Sequence, residues 1–423
     1  MAYSRASARR SDLADRLFTK PVIVVALTGV VLVAAWNRAE PLIYGLFSLL
    51  VAALVIGFSL PALSLRGISG DRTLPARAFE GERIAIVVDL VNRALLPRYM
   101  IEIEDSVPAA PPGERAVRGY IARLPAAGRE QAGVDFECYK RGVYSLGPVT
   151  LRSGFPLGLI EVTRRLADTR RTLVVYPATF PVKRLALPAA SRDIAVSLET
   201  ASRAGGAADF FGVREYRQGD PPRHVHWPSS ARHGQLIVKE FELVTAPSLA
   251  ILLDLGKHSA IGSERHTPLE YAVKIAASVG NWAAGRGIEV QLIGHGAAMH
   301  WTQPGHGSTM YADLLETLAR VEADGEMSYA DALIRSLPML RTESAAIIFL
   351  SYPGRLTESL RAVDSLRAAG VEPLVIAFDR GSFESSGDTG QDDPPPLLRD
   401  LAARGVWTRR VARGMDLAGV FDP

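Results

Sequence analysis

LAILLDL, residues 249–255, is an unbroken apolar run closed by a single carboxylate, Asp254. A run of this kind predicts a strand buried on both faces, as in a parallel sheet. Downstream, Thr267-Pro268-Leu269-Glu270 opens a helix, with Thr as the cap, Pro in the first turn and Glu three residues on. Leu269, Ala272, Val273, Ala276, Val279 and Ala283 give that helix an apolar stripe. A strand over 288–293, helices over 308–322 and about 328–337, and a strand over 345–350 follow. A helix over 356–369 ending at Gly370 and a strand over 371–378 complete the alternation. Residues 380–393 read as a flexible polar loop, and 394–423 as one more helix, a strand over 406–411 and a terminal helix. Apolar strands alternating with helices predict a doubly wound parallel sheet over residues 246–423.

Upstream the period changes. Residues 83–91, 99–104, 134–139, 142–151 and 173–176 read as strands, with Pro and Gly clusters at 108–113 and 125–128 between some of them. Short strands with turn signals predict a β-sandwich-like domain over 66–185. Residues 186–245 have little periodicity and read as a connecting segment. The fold class is therefore α/β plus β.

Near the N-terminus, PVIVVALTGVVLVAAW (21–36) and PLIYGLFSLLVAALVIGFSLPALSL (41–65) carry no charge. A bilayer-crossing helix needs about 20 apolar residues, so 21–65 reads as a transmembrane helical hairpin. Arg5, Arg9, Arg10, Arg16 and Lys20 lie in the tail 1–20, and Arg66, Arg72 and Arg77 follow the second run. The turn between the runs holds Arg38 and Glu40. The positive-inside rule then predicts a multi-pass protein of the cell (inner) membrane, with both termini and the soluble domains cytoplasmic. A cleaved signal peptide is the competing reading. The second apolar run, directly behind the first, argues against it.

The whole chain of 423 residues carries 48 basic and 45 acidic residues, a net charge of +3. This balance gives no reason to expect nucleic acid as a main partner. The lone cysteine, Cys138, excludes a disulfide framework and a multi-cysteine zinc site. In a β pattern it reads as a packed thiol.

The densest unusual stretch is GVREYRQGDPPRHVHWPSSARHGQLIVKEFE, residues 212–242. Charges of both signs interleave, which suits a network of Arg forks with carboxylates. Such a network serves domain docking first, and a ligand or partner site second. Arg214-Glu215-Tyr216, Gly219-Asp220, Arg223, Trp227, Ser230-Ala231-Arg232 and Lys239-Glu240-Phe241-Glu242 resemble the signature of the bacterial "domain of unknown function 58" proteins. Arg141-Gly142-Val143-Tyr144, Leu146-Gly147-Pro148, Pro156-Leu157-Gly158-Leu159 and Val175-Tyr176-Pro177 fit the same family. His226 departs from it, standing where an acidic residue usually precedes Trp227, so a role resting on a carboxylate there does not carry over. The resemblance implies a membrane-anchored protein with a β-rich segment and a C-terminal domain similar to von Willebrand factor A. Such proteins are often encoded beside AAA+ ATPases of the MoxR type and transglutaminase-like membrane proteins, and their activity is generally unassigned.

Von Willebrand A domains bind a hard cation through Asp-x-Ser-x-Ser. Here the stretch is Asp254-Leu255-Gly256-Lys257-His258, with both hydroxyls lost. Ser328 stands at the expected Thr position but serves equally well as a helix cap closed by Asp331. The third expected ligand is replaced by Ser351-Tyr352. Asp254 and Ser328 are thus weak metal candidates. His224, His226 and His233 cluster within ten residues, and with Asp220 they offer a transition-metal alternative or acid–base groups. Ser229 and Ser230 lie near His226 and His233 in sequence, which is poor evidence for a triad. There is no G-x-S-x-G elbow and no phosphate-binding glycine loop. The expectation is a non-enzymatic membrane scaffold or adaptor without a cofactor, partnered by a MoxR-type AAA+ ATPase. Its binding or docking residues are Arg214, Glu215, Tyr216, Gly219, Asp220, Arg223, Trp227, Ser230, Arg232 and Glu240. A metal-dependent binding module and an envelope-related enzyme are the alternatives.

Overall fold

The computed structural model describes residues 20–38, 40–183, 185, 209–217, 220–242, 248–351, 356–384 and 396–421. Two units follow one another, Met1–Val175 and Tyr176–Pro423.

The first unit opens with α1 (Lys20–Arg38) and α2 (Pro41–Ser64). Both are long and apolar enough to cross a membrane. They pack on each other, and most of their apolar side chains remain exposed, Val30 by 65% and Leu42 by 83%. The first helix runs through Asn37 and Arg38, so the break between the apolar runs shortens to residues 39–40.

Ten strands follow: β1 (Ile68–Thr73), β2 (Arg77–Phe79), β3 (Arg83–Asn92), β4 (Arg98–Ser106), β5 (Ala116–Leu124), β6 (Arg129–Glu137), β7 (Gly142–Leu146), β8 (Val149–Ser153), β9 (Val162–Leu166) and β10 (Arg171–Tyr176). They form three sheets, ordered β1-β3-β6, β2-β10-β7 and β5-β4-β8-β9. In β3, Ile84, Ile86, Val88 and Leu90 alternate into a shared core with Ile101, Ile103, Leu151 and Leu173. The single strand expected over 142–151 is two strands. The chain breaks at Gly147-Pro148, because Pro148 has no N–H to donate, and the halves enter different sheets. Inside this core Arg72 of β1 pairs with Asp105 of β4 and donates to the Gly147 carbonyl at 2.9 Å. Cys138 is fully buried, and burial pushes its thiol up to about 12.

In the second unit β11 (Asp209–Glu215) pairs antiparallel with β12 (Ile237–Glu242), and α3 (Trp227–His233) lies between them in sequence. The connecting segment expected over 186–245, where little periodicity is visible, therefore holds two paired strands and a helix within 209–242. Residues 186–208 lie outside the described residues.

The remaining strands are β13 (Ser248–Leu253), β14 (Glu289–His295), β15 (Met299–Trp301), β16 (Ser344–Leu350), β17 (Val371–Phe378) and β18 (Trp407–Val411). They form one sheet, ordered β15-β14-β13-β16-β17-β18, parallel except at β14/β15. The helices are α4 (Pro268–Ala284), α5 (Gly307–Arg320), α6 (Tyr329–Ser336), α7 (Leu356–Ala368), α8 (Arg380–Glu384) and α9 (Pro396–Ala403). Ala250, Leu252, Ala346, Ile348 and Val375 face α6, α7 and α9 in one core. On the opposite face Phe349 stacks on Phe378, which meets Phe383 of α8 edge-on, and Phe383 meets Tyr271 of α4. Helices thus cover both faces of the sheet, as unbroken apolar strands require. The Thr267 hydroxyl accepts from the Glu270 amide at 3.2 Å, as the capping sequence predicts. Two expectations at the C-terminal end fail. Residues 380–384 are helical, and residues 385–395 lie outside the described residues. The terminal helix is only a 3-10 turn, Gly419–Phe421.

Candidate functional site

The motif residues build a small closed hairpin. Arg214 of β11 donates both guanidinium arms to Asp220 at 2.8 Å each, and the Arg217 amide adds a third bond at 2.9 Å. The guanidinium beside Asp220 holds its carboxyl below the usual range. Ser230 is buried in α3. Its hydroxyl accepts from the Ile237 amide at 2.9 Å and donates to the His226 carbonyl at 3.0 Å, tying α3 to β12. Gln235 donates to Glu215 at 2.8 Å. Arg214, Glu215, Asp220 and Ser230 are therefore consumed in holding the hairpin.

The outer residues are not. The Tyr216 amide bonds the Leu236 carbonyl, the His226 amide bonds the Ile237 carbonyl, and Val225 bridges Val238. This register brings Tyr216, Leu236 and Trp227 to the same end of the hairpin. Trp227 is 65% exposed, and Tyr216 and Leu236 are also exposed. Arg217, Arg223 and Arg232 of the same segment are exposed as well. Gly219 lies outside the described residues. Glu240 pairs with Gly212 in the β11/β12 ladder, and its side chain is not described. The histidines do not converge on Asp220. The His226 ring meets Ser229 at 2.7 Å, and His233 points into solvent at the end of α3. Among the described residues no three His, Cys, Asp or Glu side chains form a group that could hold a metal.

The second candidate sits where β13 and β16 end side by side, at the reversal of strand order that favours ligand sites in α/β sheets. Asp254 is 4% exposed. Its carboxylate accepts from the Gly256 amide at 3.1 Å, from the His258 ring at 3.0 Å and from the Ser351 hydroxyl. The bond to Asp254 raises the His258 imidazole above its ordinary value, against the opposing effect of burial. A Cβ on Gly256 would collide with the His258 ring, so glycine there lets the imidazole close onto Asp254. Ser328 caps α6, bonding the Asp331 amide at 3.2 Å and its carboxylate at 2.8 Å. Lys257 is held by Glu326 at 2.9 Å. A divalent-cation site of the Asp-x-Ser-x-Ser kind does not fit these residues. Asp254 already accepts three hydrogen bonds, Ser328 is engaged, and an imidazole stands where a hydroxyl ligand would be needed. The roles of His258 and Ser351 were not read from the sequence. The Asp-x-x-x-His spacing was the available signal.

The family described as "Protein of unknown function DUF58" matches residues 212–377. "Uncharacterized protein YeaD" of Bacillus subtilis (strain 168) is 24% identical over 358 residues, 81% of this chain and 84% of YeaD. Among solved structures, proximal thread matrix protein 1 from the mussel byssus is 10% identical at a TM-score of 0.31. That match covers 42% of this chain and 46% of that protein. Red sea bream transglutaminase is 16% identical at a TM-score of 0.19, covering 26% and 15% respectively. At these scores neither solved structure carries an argument. The chain is thus similar, over residues 212–377, to a family of unknown function, and the matched region holds both the motif hairpin and the Asp254 cluster.

Proposed function

We propose that this chain is a membrane-anchored, non-enzymatic adaptor whose motif hairpin is a protein-docking surface. In this reading α1 and α2 cross the inner membrane and both soluble units lie in the cytoplasm. The C-terminal unit is a von Willebrand A-like domain without its metal site, and the partner is an AAA+ ATPase of the MoxR type. The observation that carries the reading is the exposure of Trp227, Tyr216 and Leu236, together with Arg217, Arg223 and Arg232 of the same segment. Trp, Tyr and Arg dominate the binding energy of protein interfaces. The rest of the motif is spent on holding that end rigid, which lowers the entropy cost of docking. The von Willebrand A-like reading is supported by the strand order, the helices on both faces and the carboxylate at the end of β13.

The test is co-purification of the full-length chain, in detergent, with a MoxR-type AAA+ ATPase of the same organism. A complex weakened by Trp227→Ala by about 2 kcal/mol, roughly thirtyfold, is expected of a central anchor. No complex with or without ATP removes the reading.

A further inference from the structure

One end of the β-domain gathers the exit of α2 and three loops. Leu65–Gly67 leads from α2 into β1, residues 93–97 join β3 to β4, 125–128 join β5 to β6, and 154–161 join β8 to β9. The Arg93 amide bonds the Gly67 carbonyl at 2.8 Å, and the Ala127 amide bonds the Ala94 carbonyl at 3.1 Å. Asn92 donates to the carbonyls of Leu96 and Pro125, both at 2.9 Å. Arg164 donates to the Leu65 carbonyl at 2.5 Å, and Tyr99 packs on Phe155 with ring centroids 5.3 Å apart. These bonds lock the loops around the end of the helix.

The end they form is apolar at its tips. Leu95 is 91% exposed, Leu96 68% and Leu157 49%. A soluble loop gains nothing from presenting such residues to water. The 154–161 loop also climbs along α2. A Cβ on Gly57 would stand 2.7 Å from Leu159 Cδ1, so the leucine lies directly on the helix there. Gly57 precedes Ser64 by seven residues, about 10 Å of helix. The 24 residues of α2 span about 36 Å, against a hydrocarbon core of about 30 Å. Leu159 therefore falls several ångströms inside the apolar layer if α2 crosses it. The loop also bonds within itself, the Gly158 amide to the Gly154 carbonyl at 2.7 Å, as backbone near hydrocarbon requires. Arg66 and Arg93 are exposed beside the tips, and Arg98 donates to the Arg66 carbonyl at 3.3 Å. These cations stand at the level where α2 ends and match the charge of lipid phosphates.

We propose that this end of the β-domain is a second membrane-contact site. The Phe155–Ile160 and Leu95–Pro97 loops dip into the leaflet beside α2, and Arg66, Arg93 and Arg98 engage anionic headgroups. The inference rests on α2 spanning the bilayer. It adds that the β-domain is seated on the membrane rather than hung from a free tether.

The test uses the full-length chain reconstituted in phosphatidylcholine–phosphatidylglycerol vesicles, with brominated phosphatidylcholine as the quencher. Cys138 is buried and stays in place. An environment-sensitive fluorophore is attached to Leu95→Cys, Leu96→Cys or Leu157→Cys, with Leu49→Cys inside α2 and Glu114→Cys at the opposite end of the domain as references. The expected result is loss of most fluorescence at 95, 96 and 157, as at 49, and none at 114. If 49 is quenched while 95, 96 and 157 behave like 114, the inference is overturned although the helix spans. Probes at 95, 96 and 157 that are shielded from aqueous iodide yet not quenched by the lipid also overturn it, and give the face to another protein or a second copy. If 49 itself is unquenched, the spanning reading falls and this inference falls with it.

Discussion

The Tyr329 hydroxyl shows how one atom joins two strands. It donates to the Leu252 carbonyl at 2.5 Å and accepts from the Phe349 amide at 3.1 Å. It therefore closes the gap between β13 and β16 immediately below the Asp254 cluster. Tyr329→Phe leaves two buried backbone groups unpaired, and each costs about 1–3 kcal/mol. A loss of about 2–4 kcal/mol in urea unfolding is expected, and a loss below about 0.5 kcal/mol would show that the hydroxyl is dispensable. His258 gives a pH-dependent counterpart. Its pKa is raised in the folded state, chiefly by the bond to Asp254. The stabilisation is thus complete below the unfolded value of about 6.5 and is lost as pH rises through the folded value. His266 and His295 are lowered by burial and act in the opposite sense, so the readout is a difference. The urea midpoint of the wild type should fall relative to His258→Gln as pH rises from about 6 to 9. Parallel profiles would remove the assignment. The Tyr329 contact is not visible in sequence, because it joins residues of separate elements that only the fold brings together, whereas the His258–Asp254 pair lies four residues apart and leaves its spacing as a signal.

At the scale of elements, the parts read best from sequence were those with a strong period and a cap. The strands over 345–350 and 371–378 and the helix opening at Thr267 are found within a residue or two of their expected ends. The strands missed in the first unit carry polar or small residues on exposed faces. Ala116–Leu124 contains Arg118, Gly119 and Arg123 and buries only Ile121 and Leu124, so its alternation is weak. The motif hairpin was missed because its strands, DFFGVRE and IVKEFE, are held by side-chain bonds as much as by pattern. The motif itself was legible, but its division into buried brace and exposed end was not. Helix packing supplies another test. Gly280 lies inside α4, where glycine costs about 1 kcal/mol against alanine in an open helix. A Cβ there would collide with the end of Leu314 in α5, itself fully buried. Gly280→Ala should therefore destabilise by about 1–3 kcal/mol through overpacking. A rise in the unfolding midpoint would show that Leu314 moves aside at no cost.

Across the whole molecule, the net charge and the positive hydropathy come from adjacent N-terminal segments. Residues 1–20 hold five basic and two acidic groups, which accounts for the full +3, and the other 403 residues balance at 43 of each. The positive mean hydropathy of +0.11 owes much to α1 and α2, whose apolar side chains face outward. Two apolar helices joined by residues 39–40 leave no room for a soluble domain between them. If both span, the segments before α1 and after α2 lie on one side. In the proposed topology that side is the cytoplasm, the side that the basic excess before α1 and the arginines from Arg66 onward favour under the positive-inside rule. A membrane-impermeant maleimide added to intact cells should therefore label Arg38→Cys. Glu114→Cys should react only after the inner membrane is opened. Outer-membrane permeabilisation alone should leave Glu114→Cys silent, and reaction there would invert the topology and remove a cytoplasmic ATPase as a possible partner. Labelling at neither site in intact cells, with both reacting after lysis, would place the hairpin wholly inside, and α1 and α2 would then be buried by another protein. The wild-type chain is the blank, since Cys138 is buried.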